Sequence, residues 1–139
     1  ADYLFRRLGL PRYAEVDSEL IFRLADRFAP EGPIDQDGLK KALALCRGQM
    51  SAVLASRLDP GTITVLKGNK PLCLRIHRQH RVVLYASDDA FIDFAVDSEK
   101  GWRELEVPPM TMLTIRHEDV RAIENSEFRF IPQERKGTS

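Results

Sequence analysis

Net charge is the first thing the chain lacks: in its 139 residues, 21 lysines and arginines are matched by 21 aspartates and glutamates. Without a long-range field it has no general means of holding nucleic acid or an anionic membrane surface, so neither is expected as a partner. Cysteine is scarce too. Cys46 and Cys73 stand alone at unrelated positions, too sparse for the disulfide framework of a small secreted domain, and a reducing cytoplasm is the simpler setting. No apolar run approaches the roughly 18 residues that cross a bilayer. Arg6 and Arg7, following Tyr3 and Phe5, do not have the layout of a signal peptide. A soluble protein is expected. Internal repeats and low-complexity linkers are also missing, and 139 residues at 43% hydrophobic content read as one domain. The first residue is Ala1 rather than methionine, already inside an amphipathic pattern, so the chain reads as a cut piece.

What is present is a change of period partway along. In residues 1–10, Tyr3, Leu4, Leu8 and Leu10 suit a short helix ended near Gly9, before Pro11. Leu20, Ile21, Leu24, Ala25 and Phe28 form one helical stripe over 17–29. Asp17 or Ser18 is a natural cap, and Glu19 suits the positive end of the helix dipole. After the loop at Pro30, Gly32 and Pro33, the spacing of Leu39, Ala42, Leu43 and Cys46 predicts a second helix from Asp35 or Asp37 to Gly48.

Extended patterns follow at 50–57, 62–67, 71–78 and 81–86, with turns expected at Asp59-Pro60-Gly61, at Gly68 to Pro71 and near Gln79. Links this short predict an antiparallel meander. A helix is expected over 88–96, capped by Asp88 or Asp89, then strands at 102–107 and 110–116. One more strand is expected around Phe128, Phe130 and Ile131, ahead of a disordered tail at 133–139.

Four short segments stand in a recognisable order: Asp17-Ser18-Glu19 opening a helix, Arg47-Gly48 with Met50-Ser51 entering a strand, Asn69 with Pro71-Leu72, and Ala86-Ser87-Asp88. Together they resemble the later part of a class II glutamine amidotransferase domain, an N-terminal-nucleophile hydrolase. The resemblance implies an α+β fold, the later part of an αββα sandwich in which two helices are followed by an antiparallel sheet. It also implies that strands from the front of the domain are shared between the two sheets. The activity implied is hydrolysis of glutamine to glutamate and ammonia for transfer. Asp17 then corresponds to the carboxylate that pairs with the α-ammonium group of glutamine, with Ser18 and Glu19 shaping the helix start. The residue pattern alone favours Asp17 as a helix cap, worth about 1 kcal/mol, and the resemblance turns the reading toward substrate contact.

The family's nucleophilic cysteine, the arginine that meets the glutamine carboxylate and the Asn-Gly oxyanion pair all precede the Asp17 position and are not in this sequence. Amide hydrolysis needs a thiolate, a base and oxyanion donors, so the chain is not expected to be catalytic alone. The family's frequent glycine after Pro-Leu is replaced by Cys73, Leu74 and Arg75. Cys46 on a helix stripe and Cys73 between two leucines read as buried structural thiols.

Arg75, His77, Arg78, His80 and Arg81 form the basic cluster of the sequence, read as a solvated hairpin rather than a phosphate or RNA site because no aromatic platform is interleaved. His77 and His80 lack zinc spacing and no carboxylate stands beside them, so no metal or other cofactor is expected. Trp102 reads as a core or interface anchor. The expected partners are glutamine, the remainder of the domain or a synthase or transferase domain, and a second copy of the chain. A non-catalytic binding or regulatory module on the same fold is the alternative.

Overall fold

The computed structural model describes residues 17–132, with side chains from residue 20 onward. The short helix read within residues 1–10 and the tail at 133–139 lie outside the described residues.

Helix α1 spans Asp17–Arg27 and α2 spans Gln36–Leu43. Leu20, Leu24 and Ala25 are buried on one side of α1, and Leu39, Ala42 and Leu43 on one side of α2. Asp35 caps α2, its Oδ1 accepting from the Gly38 amide at 3.2 Å. The Phe28 ring lies so close to Gly38 that a Cβ there would come within 2.6 Å of it. The end of α1 is thereby seated on the start of α2, and the two form a hairpin of helices.

Helix α2 stops at Leu43, not at Gly48 as its spacing predicts. The Cys46 amide still reaches back to the Leu43 carbonyl at 2.9 Å, but the Cys46 carbonyl accepts from the Ile131 amide at 2.8 Å. Arg47–Gly48 (β1) then runs parallel to Ile131–Pro132 (β9). A tertiary partner pulls the chain out of the helix before the apolar period ends.

Two larger sheets replace the single meander. Ser51–Ser56 (β2), Asp59–Lys67 (β3), Thr111–Arg116 (β7) and Asp119–Glu127 (β8) form an antiparallel sheet in the order β2-β3-β7-β8. Cys73–His77 (β4), Val82–Ala86 (β5) and Trp102–Leu105 (β6) form a second in the order β5-β4-β6. The segment Gly68 to Leu72 carries the chain from one sheet to the other rather than turning it back. The β2-β3 turn falls at Arg57-Leu58, two residues before the expected Asp59-Pro60-Gly61, which is drawn into β3 through a register shift after Ala55.

Strand β8 escapes the sequence pattern because it is an edge strand: Val120 alone is buried, and Ile123 and Ser126 are half-buried among exposed neighbours. The strand expected at Phe128 to Ile131 shrinks to β9, with Phe128 and Phe130 buried in the core instead. Helix α3, Asp89–Val96, forms where predicted, with Asp88 Oδ1 accepting from the Ala90 amide at 2.8 Å.

The layers follow from strand alternation. On one face of the four-stranded sheet, Leu54, Leu66 and Met112 meet α1 and α2 in a core that also takes in Phe128 and Phe130. On the other face, Val65, Leu113 and Ile115 meet Leu74 of the three-stranded sheet. Arg75, next to Leu74, must point out of that second sheet, and its guanidinium pairs with Asp93 (2.5 Å) and Asp89 (3.7 Å) on α3. The order is helices, sheet, sheet, helix.

Cys46 is buried within the core under the helices, its Sγ 3.7 Å from the Ala42 carbonyl. Burial pushes its thiol from 9.0 up to about 11. A group whose folded pKa is raised contributes stability that is complete below the unfolded value and is lost as pH rises through the folded one. Urea unfolding is therefore expected to show a loss of about 3 kcal/mol between pH 9 and 11, from a two-unit shift. Cys46→Ala should flatten that alkaline arm, and an unchanged pH profile in the variant would refute the assignment.

Candidate functional site

Three of the four segments that carry the resemblance converge at one end of the four-stranded sheet. Ser51 pairs with Lys67 across β2-β3 and Lys67 with Thr111 across β3-β7, which puts the start of β2, the end of β3 and the crossover side by side. The Met50 amide donates to Asn69 Oδ1 at 2.8 Å, and Asn69 Nδ2 to the Gly48 carbonyl at 3.5 Å. Ser51 Oγ donates to the Lys70 carbonyl at 2.7 Å and accepts from the Gly68 amide at 3.2 Å. Arg47-Gly48-x-Met50-Ser51 and Asn69-x-Pro71 are thus two halves of one knot, tied by two side chains that satisfy backbone groups secondary structure leaves unpaired.

Beside the knot is an open groove of about 500 Å³ between the edge strands of the two sheets. Ser51 to Val53 of β2 form one wall and Lys70 to Leu72 the floor, while Tyr85, Ala86 and Ser87 close the other side. Ala86-Ser87 belongs to the fourth motif segment, so three stretches separated in sequence share one groove. Tyr85, 56% exposed, and the Lys70 carbonyl were not singled out by the sequence. Tyr85 sits opposite Leu74 on β4, a relation that only strand register reveals.

Helix α1 begins at Asp17; the side chains of Asp17, Ser18 and Glu19, and with them the capping and substrate-binding roles read there, lie outside the described residues. Cys73 is half-buried rather than buried, because as the first residue of β4 it shares the outward face with Arg75. Burial first, then a hydrogen bond to Asp89 and the carboxylates of Asp89, Asp88 and Glu104 raise its thiol pKa. Cys46 is raised by burial as well. Neither is the low-pKa, electropositive thiol that nucleophilic catalysis requires.

The basic cluster is divided by the fold. Arg75 is held by Asp93 and Asp89, the Asp93 hydrogen bond being the main cause that raises its pKa. His77 is buried, its ring 4.2 Å from that of His80 and edge-on to Trp102. A carboxylate does join the pair, which its absence from the neighbouring sequence did not suggest: the loop after α3 brings Glu99 in, so that one donor atom from each of the three lies within 4.8 Å of the others. The His80 amide donates to His77 Nδ1 (3.1 Å), so the ring proton sits on Nε2 and is donated to the Lys100 carbonyl at 3.2 Å. With both nitrogens engaged, His77 has no lone pair left for a metal. It serves as a post between the β4-β5 turn and the start of β6.

The motif segments that meet in the knot and groove are accompanied by partial similarity to glutamine aminotransferases. The chain is 33% identical over 75 residues to the glutamine–fructose-6-phosphate aminotransferase (isomerizing) of Shouchella clausii. That match takes in 54% of the chain and spans 12% of the relative's length. In fold it is similar to a glutamine aminotransferase class-II domain protein from Silicibacter pomeroyi, with a TM-score of 0.50 and 22% identity over 96% of this chain and 58% of that one. No protein-family model matches the chain. Among the described residues no helix is long and apolar enough to cross a membrane.

Proposed function

We propose that the chain is the glutamine-binding portion of a class II glutamine amidotransferase, and that its layering is that of an N-terminal-nucleophile hydrolase. The observation that carries this reading is the convergence of three of the four motif segments on one knot and groove. Asp17 pairs with the α-ammonium group of glutamine. A carboxylate in the first turn of a helix is kept ionised by the amides there and makes a charge-assisted bond with an ammonium group. The second half of α1 covers the turn end of the four-stranded sheet, where Ser56 and Thr62 lie. Its start is therefore directed toward the opposite, motif-bearing end. Hydrolysis to glutamate and ammonia needs an N-terminal cysteine with its own amine as base, which neither Cys46 nor Cys73 replaces.

The test is a glutaminase assay of the full-length gene product beside this chain. Activity is expected in the longer protein and not in the chain by itself. Asp17→Ala in the longer protein is expected to raise KM roughly 10- to 100-fold, the loss of one charged hydrogen bond. An unchanged KM would reduce Asp17 to a helix cap.

The same reading supplies a partner surface. Helix α3 exposes Phe91 (67%) and Phe94 (89%) one turn apart, an apolar face of the kind that marks association. The chain associates with itself through this face. Light scattering is expected to give a mass above that of the monomer, falling in the double variant Phe91→Ser/Phe94→Ser. A monomer at every concentration would count against it.

A further inference from the structure

A second cavity, of about 250 Å³, lies under the helices at the end of the four-stranded sheet away from the motif segments. Its origin is legible in α1. Leu20 and Leu24 fill the space between helix and sheet, but farther along the same side the residues are Ala25 and Ala29, buried yet too small to reach the strands. The sheet beneath changes character at the same place. Its helix-facing positions are Leu54, Leu66 and Met112 in the middle, then Thr64, Thr114, Thr62 and Arg116 toward the turns.

Thr64 and Thr114 are paired across β3-β7 and only 5% and 4% exposed. Buried hydroxyls at positions where apolar side chains would pack cost stability unless they have something to bond. Gln36, the first residue of α2, reaches over this floor and donates from Nε2 to Thr114 Oγ1 at 3.0 Å. That hydroxyl still has its own proton to donate.

We propose that this cavity binds a small, uncharged polyhydroxylated molecule of monosaccharide or hexitol size. The volume equals that of about eight waters at ~30 Å³ each, enough for one such molecule. The lining offers hydroxyls, an amide and carboxylates, groups that both donate and accept, as a ring of ligand hydroxyls requires. The electrostatics exclude an anion. Asp26 and Asp59 border the cavity, and the guanidinium of Arg116 is already balanced by Glu124 at 2.8 Å. Phe22, 52% exposed at the mouth, supplies an apolar surface for the C–H face of a sugar. The site is independent of the glutamine reading, since none of its residues belongs to the motif segments.

Saturation-transfer NMR on the intact chain tests this with D-glucose, D-mannitol and, as the charged control, glucose 6-phosphate. Transfer to glucose or mannitol with a Kd in the millimolar range is expected, with at least tenfold weaker binding of the phosphate. Ala29→Leu fills the cavity without touching its floor, and Thr114→Val removes one hydroxyl while keeping the shape; each is expected to weaken binding at least tenfold. No transfer from any probe at ~50 mM to the folded protein would overturn the proposal. So would an affinity unchanged in the filled variant. If Ala29→Leu does not fold, an unchanged Kd in Thr114→Val overturns it alone.

Discussion

Gly68→Ala is expected to leave the protein unfolded or insoluble. A Cβ at this position would overlap the Met50 carbonyl oxygen and come within 2.7 Å of the Phe130 ring. The obstacle is room rather than conformation. The first contact is backbone, fixed because Met50 is held through its amide by Asn69 and through its carbonyl by the Lys70 amide at 3.4 Å. Relief would mean opening the knot and displacing a buried aromatic together. The cost is expected at about 4 kcal/mol or more, against a total stability of about 5–15 kcal/mol for an ordinary domain. Circular dichroism melting decides the point, and a soluble Gly68→Ala protein melting within a few degrees of the parent would show that the knot is looser than its hydrogen bonds imply.

The second large effect is expected at Gly101, where two separate penalties coincide. The residue has φ +98°, and an added Cβ would lie 2.5 Å from His77 Nε2 and 3.0 Å from Cε1. Alanine there would strain the backbone by about 1 kcal/mol and push the imidazole off the Lys100 carbonyl, for a total of about 3 kcal/mol. The two parts can be separated. In a His77→Ala background the steric part disappears, and Gly101→Ala should then cost only about 1 kcal/mol. Equal costs in both backgrounds would mean that His77 is not the post the geometry makes it.

The helices were readable in the sequence because their apolar periods are regular and their caps are aspartates: Asp35 and Asp88 do what residues of that type do ahead of a helix. The strands of the first hairpin were readable for similar reasons. What the sequence did not disclose is which strand meets which. Leu74 and Val65 belong to the same core only because Gly68 to Leu72 changes sheets, and a Gly-Asn-Lys-Pro stretch reads locally as a reversal whether or not it is one. Helix α2 shows the same limit, since the pull of Ile131 on Cys46 lies far outside any local window. Strand β8 was hidden by its charges, which an edge strand can keep because one face remains in water.

The candidate site was legible as a set of words but not as a place. Arg47-Gly48, Met50-Ser51, Asn69, Pro71-Leu72 and Ala86-Ser87 all stand out in the sequence, yet nothing in it says that the Ser51 side chain satisfies the backbone of Gly68 and Lys70 and that of Asn69 the backbone of Met50 and Gly48. The His77, His80 and Glu99 cluster was invisible for the opposite reason: its third member arrives from beyond a helix. The polar floor at Thr62, Thr64 and Thr114 was likewise hidden, since threonine is an ordinary strand residue until both its neighbours and its burial are known.

The pairing of Arg47 with Ile131, and the burial of Phe128 and Phe130 beside it, have a consequence for the order in which the protein can be made. On a ribosome the helical hairpin and the first two long strands emerge early, but the core between them lacks two of its aromatic rings until the chain is translated past Phe130. Contacts between positions so distant in sequence are the slow ones. Until then the apolar faces of α1, α2 and β3 stay partly open, and a nascent chain stalled before Phe128 should be the species that chaperones or aggregation capture first.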